Sequence, residues 1–165
     1  MKLPPSTLLA LLLLTLTTHL SAEERPKLVK LETLTGKYAD TQDTSYLITA
    51  YQRCSALYIS TSAILESRSP KASTLYEESA GTAMAFSSLL AVAKNIESGG
   101  DTDYARALER NTIALEILVP SYAKWFNLNW LEYGSYFEDD KILSSELTTC
   151  QFLMDNPPSP PDKLK

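Results

Sequence analysis

Histidine is almost absent from this sequence. Its only copy, His19, lies in an N-terminal segment that we expect to be removed from the mature protein. Without histidine, the remaining chain lacks a Ser-His-Asp or Cys-His catalytic arrangement, a histidine metal ligand and a histidine pH switch. We therefore expect a protein that is not an enzyme and that uses neither a metal nor another cofactor.

Clusters of basic residues are also missing. The chain has 15 Lys and Arg against 20 Asp and Glu, which gives a formal net charge of −5. Affinity for nucleic acid or for anionic lipid depends on grouped Lys and Arg side chains. Neither partner is expected. The acidic stretches "GGDTD" and "FEDDK" lack the ligand pattern of an EF-hand, and helix capping explains both.

Long apolar runs are absent too. The longest covers only Leu8 to Leu16, whereas a membrane-spanning helix needs about 20 apolar residues. A short apolar run after a lysine and before small residues is typical of a secretory signal peptide. We predict that residues 1–22 are such a peptide, cleaved after Ala22, and that the mature protein is periplasmic or secreted, with no stable membrane span. Because Leu20 is large for its position before the cleavage site, an uncleaved anchor is the alternative.

Cysteine occurs only twice, at Cys54 and Cys150. An even number of cysteines in an exported chain indicates a disulfide, with two free thiols as the alternative. A bridge that closes a loop of about 100 residues adds on the order of 4 kcal/mol of stability in the chain-entropy model. A redox site is not expected, because neither cysteine has a Cys-x-x-Cys partner.

Apolar residues recur at steps of three and four along most of the chain, and no alternating strand pattern of useful length is present. This periodicity predicts an all-α fold, a four-helix bundle formed by residues 43–155. Residues 23–42 are expected to be an extended arm, and residues 156–165 a disordered, proline-rich tail. The four helices are expected near residues 43–67, 70–98, 101–133 and 139–155, and the second, which carries the uncharged stretch "SAGTAMAFSSLLAVA", is expected to be the buried centre.

The third predicted helix contains Pro120, which removes one backbone hydrogen bond and crowds the preceding turn. The apolar stripe keeps its register on both sides of Pro120, and we therefore predict one long helix with a kink at that residue. Cys54 and Cys150 lie on the apolar faces of the first and last predicted helices. A disulfide between them requires those two helices to be neighbours.

The aromatic stretch "WFNLNWLEYGSYF" raises the question of a ligand site. Trp125 continues the apolar stripe of the third helix, which favours core packing. Asn111 and Asn129 interrupt that stripe, and a buried amide needs hydrogen-bond partners. We expect them either to pair with tyrosine hydroxyls and backbone groups or to line a small polar-floored cavity with Trp125.

A second apolar row on the same helix includes Leu128 and Leu131. A helix that is apolar on two sides is either central in its bundle or presents one side to another chain. Trp130 lies at the edge of the main stripe. The candidate residues for a ligand or a partner are Asn111, Trp125, Leu128, Asn129, Trp130 and Leu131.

These observations favour an exported, non-enzymatic helical protein of the cell envelope that binds a protein partner or a small apolar ligand. One alternative is a small histidine-free hydrolase that acts on envelope glycans through carboxylates. Two carboxylates facing each other across an open cleft would favour it. The other alternative is a membrane-tethered accessory subunit in which residues 1–22 stay attached.

Overall fold

The computed structural model describes residues 24–100 and 102–158, which form five α-helices and no strands. The predicted signal peptide and residues 159–165 of the predicted tail lie outside the described residues. Within residues 24–100 and 102–158, no helix is both long and apolar enough to cross a membrane. The helices are α1 (Leu31–Thr41), α2 (Thr44–Leu65), α3 (Pro70–Glu97), α4 (Tyr104–Tyr133) and α5 (Lys141–Asp155).

The prediction of an extended N-terminal arm was wrong, because that segment contains α1. Leu31 and Leu34 are 1% and 7% exposed and pack into the core, and α1 lies against α2 and α5. The apolar residues Leu31, Leu34 and Tyr38 follow helical steps but cover only about two turns, and a helix of 11 residues depends on tertiary contacts for its stability. The bundle therefore has five helices rather than four and begins at Leu31 rather than at residue 43.

The centre of the bundle is α2, which packs against all four other helices. Every residue from Arg53 to Tyr58 is buried, as expected for a helix that is surrounded on all sides. The prediction that α3 is the buried centre was wrong, since Leu75 and Leu89 of α3 are 57% and 47% exposed. The small residues of α3 serve close packing instead. Its Ala83 is fully buried in the core.

The helix α4 is continuous across Pro120, as the register of its apolar stripe predicted. The side chain of Asp103 accepts a hydrogen bond from the backbone N–H of Arg106 and caps the helix start. Gly134 ends the helix with a φ of 71°, a left-handed conformation that glycine adopts without a steric cost. Pro120 itself is exposed. A bend at Pro120 stays a prediction.

The disulfide between Cys54 and Cys150 is present and joins α2 to α5, with 5.4 Å between the two Cα atoms. Both cysteines are fully buried. The prediction that the helices carrying these cysteines are neighbours is confirmed. The bridge spans 96 positions of sequence and ties the last helix of the bundle to the central one.

Candidate functional site

Asn111, the first of the two predicted stripe amides, is 2% exposed, and both polar atoms of its side chain have hydrogen-bond partners inside the core. Its Oδ1 accepts a hydrogen bond from Nε2 of Gln52 at 2.7 Å, and its Nδ2 donates to Oγ of Ser88 at 2.7 Å. These partners are side chains of α2 and α3 rather than tyrosine hydroxyls. Asn111 therefore joins three helices and is not left open to a ligand.

The second amide, Asn129, and the indole of Trp125 share one acceptor, the carboxylate of Asp140. Oδ2 of Asp140 accepts from Nε1 of Trp125 at 2.6 Å and from Nδ2 of Asn129 at 3.0 Å. Its Oδ1 accepts from two backbone N–H groups at the start of α5. Burial alone would raise the pKa of Asp140, but these hydrogen bonds outweigh it and lower the pKa. Trp125 and Asn129 therefore fix the start of α5.

The remaining predicted residues lie on the surface of α4. Trp130 is 43% exposed and Leu131 is 79% exposed, whereas Leu128 is half-buried. Ile113 and Ile117 are exposed on the same side of the helix as Leu131, and the row extends over about 27 Å at 1.5 Å per residue. The six predicted residues thus separate into a buried polar group and an exposed apolar row.

A groove lies between the C-terminal half of α2 and the middle of α4, and we call it the α2–α4 groove. Its volume is about 390 Å³, which lies within the range of about 300 to 1,000 Å³ that is common for small-molecule sites. The walls are mainly aliphatic and aromatic. The groove is lined by Ile59, Ser60, Ala63, Ile64, Ser67, Arg68, Val119, Ala123, Phe126, Asn127 and Tyr136.

One end of the groove carries a cation stacked on two aromatic rings. The guanidinium carbon of Arg68 lies 5.3 Å from the ring centroid of Trp130 and 5.5 Å from that of Tyr136. The two rings are stacked with centroids 4.9 Å apart. No ion pair found among the described residues includes Arg68. The groove therefore ends at a positive charge that forms no ion pair within the described chain.

Sequence reasoning identified Trp130 but missed Arg68 and Tyr136. Arg68 belongs to the turn between α2 and α3, and Tyr136 follows the end of α4. Nothing in the local sequence indicates that these two segments meet. The only available signal was that both residues lie just beyond a predicted helix end. Such connecting segments lie on the surface and often carry binding residues.

A buried ion pair was also missed. Arg53 and Glu146 are 3% and 2% exposed and pair directly across α2 and α5. The hydroxyl of Tyr122 donates to Oε2 of Glu146 at 2.5 Å and accepts from Nε and Nη2 of Arg53 at 3.1 and 3.0 Å. Burial, followed by the negative charge of Glu146, raises the pKa of Tyr122 well above its usual value. The hydroxyl therefore stays protonated.

Two carboxylates share one small cavity. Glu32 of α1 and Glu146 of α5 both line a space of about 230 Å³, together with Lys30 and Lys141. Glu146 is already held by the ion pair, and Glu32 accepts a hydrogen bond from the hydroxyl of Ser145. This volume is below the usual lower limit of about 300 Å³ for a small-molecule site. The cavity is therefore a weaker candidate than the α2–α4 groove.

No family model, curated protein or solved structure matches this chain. Across the part of the chain that the structure describes, no three His, Cys, Asp or Glu side chains are grouped so that they could hold a metal ion. A function must therefore be inferred from the grooves and cavities themselves.

Proposed function

We propose that this chain is an exported, non-enzymatic helical protein of the cell envelope that binds a small apolar ligand in the α2–α4 groove. The single observation that carries the proposal is the groove itself, with about 390 Å³ between mainly apolar walls and one cationic end. The alternative is that the protein binds a protein partner through the exposed apolar row of α4, which contains Ile113, Ile117 and Leu131.

The chemistry of the groove favours a ligand with an apolar body and an acidic end. Ile59, Val119 and Phe126 offer dispersion contacts and exclude water from an aliphatic chain. The hydroxyl of Ser60 already donates to the backbone carbonyl of Ala56 at 2.9 Å, so it needs no ligand. Arg68 has donors suited to a carboxylate in a bidentate arrangement. A medium-chain fatty acid has this combination of features.

Export is supported by the Cys54–Cys150 disulfide. Disulfides persist in the periplasm and outside the cell, whereas cytosolic thiols are kept reduced in mesophilic organisms. A bridge between two buried cysteines fits a protein that matures in such a compartment. We therefore propose a periplasmic or secreted location, in line with the predicted signal peptide.

The hydrolase remains the second candidate, and the cavity shared by Glu32 and Glu146 is the observation that favours it. Both oxygens of Glu146 are occupied, one by Arg53 and one by the hydroxyl of Tyr122. A carboxylate held in this way is poorly placed to move a proton to or from a sugar. The accessory-subunit alternative depends on residues 1–22 alone, and determining the N-terminal residue of protein purified from its native source distinguishes it.

The ligand proposal is tested by titrating the disulfide-bonded protein with decanoate while tryptophan fluorescence is recorded, because Trp130 adjoins the groove. Saturable binding is expected. Ala123→Phe fills the groove from an exposed wall position and should weaken binding at least about tenfold, a loss of about 1.4 kcal/mol. Ala105→Phe is the matched control, since Ala105 is exposed on the same helix, about 27 Å away along its axis.

Arg68 provides a second comparison within the same assay. Arg68→Gln should weaken the binding of decanoate and leave the binding of decanol unchanged, because only the acid needs a positive partner. Absence of saturable binding would contradict the ligand proposal. Equal binding by the Ala123→Phe and Ala105→Phe variants would show that decanoate binds elsewhere.

A further inference from the structure

A second cavity lies where α2, α3 and α5 meet, and it shares no residue with the α2–α4 groove. Its volume is about 350 Å³, within the range of small-molecule sites. Its character differs from that of the groove, because two tyrosines, a serine, one amide and one carboxylate make up much of its wall. It is lined by Tyr58, Tyr76, Ser79, Leu147, Gln151, Met154 and Asp155.

Two tyrosine rings form one wall of this cavity. The ring centroids of Tyr58 and Tyr76 are 5.7 Å apart, and the ring planes are tilted by 48°. Tyr58 is 5% exposed, and no described residue forms a hydrogen bond with its hydroxyl. Burial, followed by the proximity of Tyr76 and Asp155, raises the pKa of Tyr58 to about 12. Tyr58 therefore offers a neutral ring and a free hydroxyl.

The charge at this cavity is negative. Asp155 is its only charged lining residue, and Asp155 takes part in no ion pair detected within residues 24–100 and 102–158. It is also the last residue of α5, where the helix dipole places partial negative charge. A carboxylate, a helix C-terminus and two aromatic rings all favour a cation.

We propose that this cavity binds a small organic ammonium ion. The ammonium group would lie against the rings of Tyr58 and Tyr76 and close to the carboxylate of Asp155, and its alkyl groups would contact Leu147 and Met154. Aromatic side chains with a nearby carboxylate recognise alkylated ammonium groups in this way, because the ring faces are negative and tolerate methyl groups. This site is independent of the proposed α2–α4 ligand.

The disulfide holds the walls of the cavity in place. Tyr58 lies one helical turn after Cys54, and Gln151 directly follows Cys150. Tyr58 on α2 and the polar wall on α5 are therefore fixed relative to each other by a covalent bond, and Tyr76 on α3 completes the lining. A site built in this way needs little reorganisation when a ligand binds.

The proposal is tested by calorimetric titration of the disulfide-bonded protein with choline and with dimethylbutanol, which has the same shape without the charge. We expect saturable binding of choline and at least about tenfold weaker binding of the neutral alcohol, equivalent to about 1.4 kcal/mol. Equal affinities would show an apolar pocket without cation recognition, and no binding of choline would likewise overturn the proposal.

Variants locate the site. Asp155→Asn and Tyr76→Leu should each weaken choline binding at least about fivefold, and both positions are accessible enough for the fold to survive. Asp139→Asn and Tyr104→Leu are the matched controls, since both residues are exposed and lie outside the cavity. Circular dichroism verifies the fold of each variant. If the controls lose as much affinity as the test variants, the site is wrongly placed.

An ammonium group can also be presented by a lipid. Sedimentation with vesicles of phosphatidylcholine distinguishes the two sources. We expect the protein to remain in the supernatant, which assigns the site to a free ammonium ion. Sedimentation that Asp155→Asn does not change would contradict recognition of the head group by this cavity, whereas sedimentation that this variant prevents would assign the same chemistry to the lipid.

Discussion

Arg53 and Glu146 form an ion pair that joins the same two helices as the disulfide. Arg53 directly precedes Cys54, and Glu146 lies one helical turn before Cys150. The helices α2 and α5 are thus held together by a covalent bond and a buried charge pair within one turn of each other. Both links are buried, and each can be removed separately.

We expect Glu146→Ala to destabilise the protein by about 3 to 5 kcal/mol. The substitution leaves the guanidinium of Arg53 buried without its carboxylate, and Nη1 of Arg53 already has no hydrogen-bond partner. The free energy of unfolding is measured by urea titration of the disulfide-bonded protein. A destabilisation below about 1 kcal/mol would show that water reaches Arg53.

Two further variants separate the cost of an unpaired charge from the value of the pair. Arg53→Met combined with Glu146→Leu should cost less than Glu146→Ala alone, since no buried charge remains. Lys94→Ala breaks the ion pair of Lys94 with Asp43. The side chains of these two residues are 42% and 46% exposed. That control should change stability by about 1 kcal/mol or less.

The disulfide should contribute about 4 kcal/mol, because it closes a loop of about 100 residues in the unfolded chain. Cys54→Ala combined with Cys150→Ala is the suitable variant, since alanine adds no polar group at these fully buried positions. Unfolding in guanidinium chloride compares the free energy of unfolding of this variant with that of the disulfide-bonded protein. The unsubstituted protein, unfolded with and without a reductant, gives a second measurement of the same effect. We expect the reduced protein to remain helical, because the buried ion pair still connects α2 and α5. Unchanged stability on reduction would contradict this account.

The predictable parts of the fold are those that follow from the spacing of apolar residues within a single helix. The apolar stripe of α4 continues through Pro120, and it identified one long helix despite a residue that usually ends helices. The apolar surroundings of Cys54 and Cys150 identified the helix pair that the disulfide joins. In both cases the information lies within a few turns of one helix.

The missed features depend on contacts between residues far apart in sequence. α1 is held by Leu31 and Leu34 against other helices, and its apolar pattern covers only about two turns, which is too short to predict a helix from the sequence alone. The ion pair of Arg53 with Glu146 spans 93 positions. The order of helices around the bundle also decides which one is central. The uncharged stretch of α3 wrongly favoured that helix, because a lack of charge does not show how many helices surround a segment.

The candidate site was predictable only in part for the same reason. The sequence places Trp125 and Asn129 in the stripe of α4, but it does not show that Asp140 accepts hydrogen bonds from both. Trp130 was identified, but its partner Arg68 comes from the turn before α3. A single helix pattern predicts which residues are buried, not which residues from other helices meet them.

Substitutions in the exposed apolar row of α4 should affect the binding of a protein partner without affecting the stability of the fold. Leu131 is 79% exposed, so Leu131→Glu, alone or combined with Leu128→Glu, should leave the fold intact, and the single change should alter stability by about 0.5 kcal/mol or less. If this row contacts a protein partner, as the alternative form of our proposal requires, affinity capture from the native envelope should lose that partner in the double variant. Leu75→Glu is the control, since Leu75 is similarly exposed on α3. Capture that is unchanged by the double variant would exclude this surface.

Asp140 predicts a pH dependence of stability with a definite sign. Its pKa in the folded protein is lowered, because hydrogen bonds from the backbone at the start of α5, from Asn129 and from Trp125 outweigh the effect of burial. A lowered folded pKa means that the stabilisation is fully present above the unfolded pKa of about 3.9 and is lost as the pH falls through the folded value. The contribution should therefore be constant from pH 7 to about pH 5 and decrease below about pH 4.

Asp140→Asn removes this contribution, and we expect it to cost about 1 to 3 kcal/mol at pH 7, because charge-assisted hydrogen bonds to Trp125 and to the start of α5 are weakened. Urea unfolding recorded by the fluorescence of Trp125 and Trp130 at several pH values measures the difference from the unsubstituted protein. That difference should shrink as the pH falls below about 4, since the native carboxylate then becomes protonated. Asp139→Asn, at the exposed neighbouring position, should show neither the cost nor the pH dependence. A difference that stays constant down to the acid limit of the fold would mean that the negative charge of Asp140 does not stabilise the α4–α5 connection, and that its oxygens act only as neutral acceptors.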